Sequence, residues 1–360
     1  RERRGLQDRH SRRGLNDFLH SSRKNMRFKN VLVTGGAGYV GSLLVPQLLD
    51  AGYRVTALDI MYFGDDFLPK DNPNLKVVRA DIRDAAKLAD EFKGIEAVIN
   101  LACISNDASF ELDEKLSTTI NLDAFEPMVV AAKKAGVRRF IYCSSSSVYG
   151  VSESPDVTED HPLVPLTLYN KYKGMCEPLL FKHQSPEFAC VAIRPATLCG
   201  YAPRQRLDLS VNILTNHAIN AGKVTVFGGS QKRPNLHIQD MCDLYQLLLE
   251  VPDEKIAGQI FNAGFQNLSI MEIAQIAKRV VQEEFPDKGD IPIVTTPTND
   301  IRSYHVNSDK IRRVLGFQPK RNIEDAVRDL CKAFKAGKLP KSMDDTFYFN
   351  VRRLKELKAA

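Results

Sequence analysis

Three features are missing from this sequence, and each absence closes off a class of protein. No apolar run approaches the roughly 18–20 residues needed to cross a bilayer, which excludes a helical membrane-spanning protein. No Cys-x-x-Cys pair occurs, and the seven cysteines (Cys103, Cys143, Cys176, Cys190, Cys199, Cys242 and Cys331) are odd in number and scattered. That excludes a disulfide framework and a zinc ribbon. No metal site is expected, and reduced thiols in a cytoplasmic compartment are. No stripe interleaves aromatic with basic side chains. The net charge of +6 is lopsided: residues 1–25 hold eight Lys or Arg against Glu2, Asp8 and Asp17, leaving a nearly neutral body. Nucleic acid is accordingly not expected as a partner. The basic head, 1–25, reads as a disordered extension, with the fold beginning near Met26. Internal repeats and low-complexity segments are absent too.

What is present is ordinary globular material: 360 residues, 43% hydrophobic and 26% charged, enough to bury a large core. Short apolar runs read as strands at 30–35, 54–59, 75–81, 97–102, 139–147 and 189–197. Amphipathic stretches at 39–51, 85–93, 113–135 and 167–183 read as the helices between them. Continuous Val/Ile/Leu strands alternating with helices predict a doubly wound parallel sheet, the Rossmann architecture, over 26–200. After Gly200 the rhythm turns irregular. Helices are expected at 207–221, 240–250, 269–284, 308–315 and 323–336, short strands at 224–227 and 236–238, and a proline-rich connector at 286–298. This predicts an α/β chain with a smaller C-terminal substrate-binding lobe, 201–345, and a C-terminal tail, 346–360.

The first strand runs into Thr34-Gly-Gly-Ala-Gly-Tyr-Val-Gly41, and a helix opens there. Gly35 permits a tight turn, Gly38 lets backbone approach a pyrophosphate, and Gly41 lets helix pack on strand. The phosphates then meet the positive helix N-terminus, beside Tyr39 and Val40. Asp59 ends the second strand, where a carboxylate accepts bonds from the adenosine ribose hydroxyls and repels a 2′-phosphate, favouring NAD over NADP; a turn cap is its other reading. Asp81 and Ile82, ending the third strand, are placed to meet the adenine edge or merely to close a turn.

Tyr169 and Lys173 stand four apart, on one helix face. A phenol is a poor base near neutrality, but a neighbouring ammonium favours the phenolate. Tyr169 is thereby suited to exchange a proton with a substrate hydroxyl. Ser144-Ser-Ser-Ser-Val-Tyr-Gly150 lies at the carboxyl end of a strand, where open α/β sheets bind ligands. Its hydroxyls can serve a reacting oxygen or satisfy their own loop backbone.

Together these motifs resemble the extended short-chain dehydrogenase/reductases, and within them the NAD-dependent nucleotide-sugar epimerase/dehydratase family, over about 30–334. The resemblance implies Ser145 as the catalytic serine, Tyr169 as the base and Lys173 as its partner. It places Leu101 and Ala102 beside the cofactor and Asn121 near the active site, and it matches Arg194 to a strand-end segment. Ser146, Ser147 and Thr197 fall where that family contacts the sugar. Arg233, His237 and Asp240 match an R-x-x-x-H-x-x-D segment whose arginine holds the substrate's diphosphate. Arg206 and Arg302 lie in segments similar to a branch acting on unusual nucleotide sugars.

The departures bear on the reaction. Dehydratases of this family carry an Asp-Glu pair where this chain has Ser146 and Ser147, and serine hydroxyls supply neither acid nor base for eliminating water. The expected activity is NAD-dependent oxidation at C4 of a nucleotide-linked sugar, read first as 4-epimerisation. A 4-dehydrogenase or 4-ketoreductase is the alternative, a 4,6-dehydratase stands behind it, and an NAD-sensing protein without turnover is the non-enzyme reading. The resemblance also implies a homodimer pairing helices 113–135 and 167–183, with contacts drawn from Ile120, Phe125, Met128, Val129 and Leu180, some of which must face the sheet instead.

Overall fold

A computed structural model describes residues 26–152, 154, 156–298 and 303–359. The basic head and Arg302 lie outside the described residues. Twelve strands form among the described residues: β1 (Asn30–Thr34), β2 (Arg54–Asp59), β3 (Leu75–Arg79), β4 (Ala97–Asn100), β5 (Arg139–Cys143), β6 (Ala189–Pro195), β7 (Thr197–Cys199), β8 (Val224–Phe227), β9 (Lys232–His237), β10 (Gln259–Ala263), β11 (Gln266–Ser269) and β12 (Ile293–Thr296). Seven make one parallel sheet in the order β10-β6-β5-β4-β1-β2-β3. The expected doubly wound sheet is present.

The apolar runs explain themselves in this sheet. Val31 and Val33 of β1 face one core, with Leu44 and Leu48 of helix Gly41–Asp50 and Leu244 and Leu248 of helix Ile238–Glu250. Leu32 faces the opposite core, with Phe125, Met128 and Phe140. Both faces are covered, so alternate residues are apolar alike. Strand order reverses at β1, whose neighbours are β2 and β4. That switch point opens a crevice above the carboxyl ends of β1 and β4.

A second lobe stands over that end. It holds the β11-β9-β7 sheet, the β12-β8 pair, and helices Ser210–Asn220, Ile270–Glu284 and Ile323–Lys335 around a core of their own. Capping boxes at Ser269/Glu272 and Asn322/Asp325 start the last two helices.

Four expectations need correction. The boundary at 200 is not clean, because β10, from the segment assigned to the second lobe, pairs with β6 and completes the seven-stranded sheet. The connector 286–298 contains β12. The stretch 113–135 is helical as expected but not uniformly so: Glu114–Thr118 and Phe125–Lys134 are joined through a wider helical turn, Thr119–Asp123. Finally, 346–360 is no free tail. Helix Asn350–Ala359 packs back on the Rossmann domain, where Arg353 Nε donates to Tyr62 O and Lys358 Nζ to Leu112 O.

Ile120, Phe125, Met128, Val129 and Leu180 are all buried against the sheet within one chain, so they are not subunit contacts. No described helix is long and apolar enough to cross a membrane.

The glycine turn leaves no room for a side chain at Gly41. A Cβ on Gly41 would stand 2.5 Å from the carbonyl oxygens of Gly35 and Gly36. Gly41→Ala is therefore expected to lower unfolding stability by about 1–3 kcal/mol, as overpacked sites do, read from denaturant unfolding. An unchanged midpoint would show that the turn relaxes freely.

Candidate active site

A cleft of about 360 Å3 lies at the switch point. Its wall includes Gly35, Gly38, Tyr39, Val40, Asp59, Asp81, Ile82, Leu101 and Ala102 on the dinucleotide side, and Ser145, Ser146, Ser147, Tyr169, Lys173, Thr197 and Arg206 beyond. Residues 35 to 206 of the sequence thus converge as the motifs suggest.

The glycine turn is built to be approached. Gly35 has φ +71°, and a Cβ there would lie 2.8 Å from Ala102 N. The chain after β4 consequently closes directly over the turn, while Gly38 stays on the cleft wall. The Asp59 carboxylate accepts from Ala37 N at 3.0 Å and Met61 N at 2.8 Å. Burial raises its pKa, and those amides and the charge of Arg204 oppose that. Asp59 therefore caps the turn and lines the cleft at once. Asp81 is held below the usual carboxylate range by Arg83, paired at 2.6 Å. These features fit a dinucleotide: a bare glycine turn and helix N-terminus for the pyrophosphate, and carboxylates at the ends of β2 and β3 for the adenosine.

The catalytic candidates sit on two short elements. Ser145 caps the turn Ser146–Tyr149, and Thr167 caps helix Leu168–Phe181. Ser145 Oγ lies 2.7 Å from Ser147 Oγ, which in turn donates to Asn170 Oδ1 at 2.5 Å. Ser145 Oγ accepts from the Ser147 backbone amide, so it caps its own loop, and it also lines the cleft. Lys173 Nζ donates to Cys143 O at 2.7 Å, anchoring the helix to the end of β5. Burial pushes the Tyr169 phenol up, and the Lys173 ammonium draws it back. Burial alone would lower Lys173, but Cys103, Tyr169 and Cys143 around it favour its charged form and hold it high.

Several matched residues support the site from behind. Asn121, in the wide turn, exchanges two hydrogen bonds with the Ile104 backbone and pins the loop after β4. Arg194 makes a buried 2.6 Å ion pair with Glu177, whose other oxygen accepts from Ser144 Oγ. His237 caps helix Ile238–Glu250, and Asp240 pairs with Arg321. Arg206 pairs with Asp208 and donates to Ser105 Oγ at 3.2 Å. Arg233 is not on the cleft wall. Its guanidinium lies over the Tyr304 ring, 5.3 Å from the centroid, and Tyr304 does line the cleft.

Sequence reasoning missed Phe63, Ser105, Asn106, Arg204, Asn350 and Leu354, all on the wall. Asn106 adopts φ +73° and caps helix Asp107–Phe110, a strained joint with no motif to announce it. Arg204 stands two residues before Arg206 in a segment already singled out. Asn350 and Leu354 belong to the supposed tail.

A Rossmann crevice with a serine, a tyrosine and a lysine at its mouth defines a dinucleotide-dependent dehydrogenase/reductase. More particularly, the chain belongs to the NAD dependent epimerase/dehydratase family, whose model matches residues 31–264. It is an enzyme of that family, and its cofactor is NAD. It is 29% identical to a UDP-glucose 4-epimerase of Lactobacillus helveticus over 340 residues, 88% of this chain and 99% of that protein. It is also 29% identical to a dTDP-glucose 4,6-dehydratase of Streptomyces griseus over 310 residues, 83% of this chain and 92% of the other. Among solved structures, DesIV, a dTDP-glucose 4,6-dehydratase of Streptomyces venezuelae with NAD bound, superposes with TM-score 0.75 at 25% identity, covering 86% of this chain and 98% of that one. MoeE5 in complex with UDP-glucuronic acid and NAD gives 0.73 at 27% identity, covering 86% and 99%.

Asp59 makes a testable contribution to cofactor choice. NAD is expected to bind more tightly than NADP, and Asp59→Ala to narrow the gap about tenfold or more by removing charge repulsion. Titration of both cofactors checks this. Equal affinities in the unaltered protein would contradict it.

Proposed function

We propose that this enzyme oxidises the C4 hydroxyl of a nucleotide-linked hexose or heptose and reduces the ketone again on the opposite face, as a nucleotide-sugar 4-epimerase. The observation that carries this reading is the composition of the cleft beside Tyr169. Ser145, Tyr169 and Lys173 are together, while Ser146 and Ser147 stand where dehydratases carry an acid pair. The carboxylates on the wall are Asp59, Asp81 and Asp107 among the described residues. Asp59 is held by backbone amides, Asp81 by Arg83, and Asp107 accepts from Thr167 Oγ1 at 2.6 Å. None follows the catalytic serine, which leaves elimination of water without its acid and base. The relatives include both 4-epimerases and 4,6-dehydratases, so the argument rests on these residues.

NAD, when bound, supplies the hydride acceptor. The chain's own work is proton transfer and orientation. Ser145 Oγ hydrogen-bonds the reacting oxygen and fixes C4 over the cleft. Tyr169 Oη takes the hydroxyl proton as C4 becomes a carbonyl, and Lys173 stabilises the phenolate before that step. Asn170 and Ser147 orient Ser145. For re-reduction the sugar turns over, and Tyr169 returns the proton to the new alkoxide. Thr197 and Arg206 contact the sugar portion. Arg233, stacked on Tyr304 at the rim, meets the diphosphate, with Arg302 as its candidate companion. If the ketone instead leaves, the same groups make a 4-dehydrogenase.

Incubation with UDP-, GDP-, dTDP- and CDP-sugars, followed by NMR, is expected to yield one 4-epimer. Accumulating free ketone would shift the reading to a dehydrogenase, and a 4-keto-6-deoxy product would overturn it. Tyr169→Phe is expected to abolish turnover with NAD still bound. A base must be deprotonated to act, and burial raises the Tyr169 phenol, so kcat/KM is expected to rise with pH through neutrality. Lys173→Met removes the ammonium that opposes burial and is expected to move that rise to higher pH. A pH-independent rate in both proteins would remove Tyr169 from the role.

We further propose that two chains pair about a two-fold axis through helices Phe125–Lys134 and Leu168–Phe181, using outward residues such as Pro127, Met175 and Pro178. The seven free thiols suit a reducing cytoplasm. Sedimentation at micromolar concentration is expected to show a dimer, and a monomer would contradict the pairing.

A further inference from the structure

The cleft wall contains a buried arginine, Arg204, that forms no ion pair among the described residues. Arg204 is 4% exposed. Its Nη2 donates to Asn350 Oδ1 at 2.6 Å, and its guanidinium lies over the Phe63 ring, 3.6 Å from the centroid. Its Nε has no hydrogen-bond partner. No carboxylate among the described residues forms an ion pair with it. The two nearby acids are engaged elsewhere: Asp59 by the amides of Ala37 and Met61, and Asp208 by Arg206 and Asn350 N. Burial and the like charge of Arg206 push the Arg204 guanidinium down to about 9.

Leaving a guanidinium buried and unpaired is costly, and native proteins normally compensate such a group. An anion brought by a ligand is the compensation that an enzyme cleft can use. The position says which anion. Arg204 N donates to Ser42 Oγ at 3.1 Å, and Ser42 lies in the first turn of helix Gly41–Asp50, at the N-terminus that the glycine turn presents. Phe63 follows β2, and Asp59 ends it. Arg204 thus adjoins the helix that the glycine turn opens, its charge acts on Asp59, and it lines the same cleft as the turn, in reach of the phosphates of a bound dinucleotide.

We infer that Arg204 is a phosphate ligand of the dinucleotide site, gripping the pyrophosphate of NAD, and that the C-terminal helix is a working part of that site. Asn350 is the positioning residue. It opens helix Asn350–Ala359, holds Arg204 through Oδ1 and donates through Nδ2 to Ser105 Oγ at 2.9 Å. Leu354, one turn later, lines the same cleft. The segment that reads as a tail thus straps the second lobe's arginine to the Rossmann domain. Bound anion and strap reinforce each other. NAD pairs the guanidinium that the helix has positioned, and the helix covers the cofactor it helps to hold.

The inference rests on the NAD site and not on which sugar is turned over, so binding alone tests it. Full-length Arg204→Met and Asn350→Ala proteins are titrated with NAD, NADP and adenosine, and each is unfolded thermally with and without NAD. Arg204→Met removes a buried unpaired charge, so its ligand-free unfolding midpoint is expected to hold or rise. Its NAD affinity is expected to fall about ten- to hundredfold, as for a lost charge-assisted bond, with adenosine binding unchanged. Asn350→Ala is expected to weaken NAD severalfold with the same indifference to adenosine. Unchanged NAD affinity in a folded variant would overturn the assignment. A loss confined to NADP would move Arg204 to the 2′-phosphate and overturn it too. An equal loss of NAD and adenosine would mean that Arg204 only shapes the pocket. Should Arg204→Met not fold, the guanidinium is structural and the inference fails unless Asn350→Ala still separates NAD from adenosine.

Discussion

The structure depends on how closely the first βα turn lets other backbone come. At Gly35 the chain after β4 packs where a side chain would stand, and at Gly41 the helix packs where another would. A helix N-terminus is thereby brought onto the sheet's switch point, the place where an anionic cofactor is held. Other parts of the cleft are referred to that turn. Asp59 reaches back to its Ala37 amide, and Tyr39 on its far side donates to Gly200 O at 2.6 Å and ties the second lobe to the first. One local geometric tolerance therefore fixes the cofactor, the strand-end carboxylate and the lobe junction together.

The reactive groups are held by a separate set of bonds. Lys173 clamps the catalytic helix to the last carbonyl of β5, and the Ser144–Glu177–Arg194 network clamps the serine turn to the same helix and to β6. Arg194 also reaches Tyr149 Oη at 2.7 Å, which donates to Asn262 Oδ1 on β10. A buried ion pair of this sort contributes little net stability but much positional definition, because breaking either partner leaves a charge stranded. In a site that must hold one phenol against one carbinol, position matters more.

Much of this was legible in the sequence because the relevant rules are local. A strand run, three glycines, an acid ending the next strand, and a tyrosine and lysine one helical turn apart all carry fixed spacing. The apolar runs at 30–34 and 189–195 showed no alternation because both sheet faces are covered, and that gave the fold class. What could not be read depends on distant partners. β10 is five residues with a single bulky aromatic, and only docking beside β6 makes it a strand of the main sheet. Arg204 and Asn350 are 146 residues apart in the chain, and neither marks its partner. Ile120, Phe125 and Leu180 read equally well as outward contacts or core, and the core took them because the sheet beneath offered an apolar face.

The central claim is that hydride leaves and returns to the same carbon of a nucleotide sugar. A substrate carrying deuterium at C4 of the sugar tests it directly. After turnover with the purified enzyme and no added cofactor, the account predicts that the label remains at C4 of the inverted product, in full and at every conversion. Deuterium found at C6, or lost from the sugar as a free ketone accumulates, would contradict it.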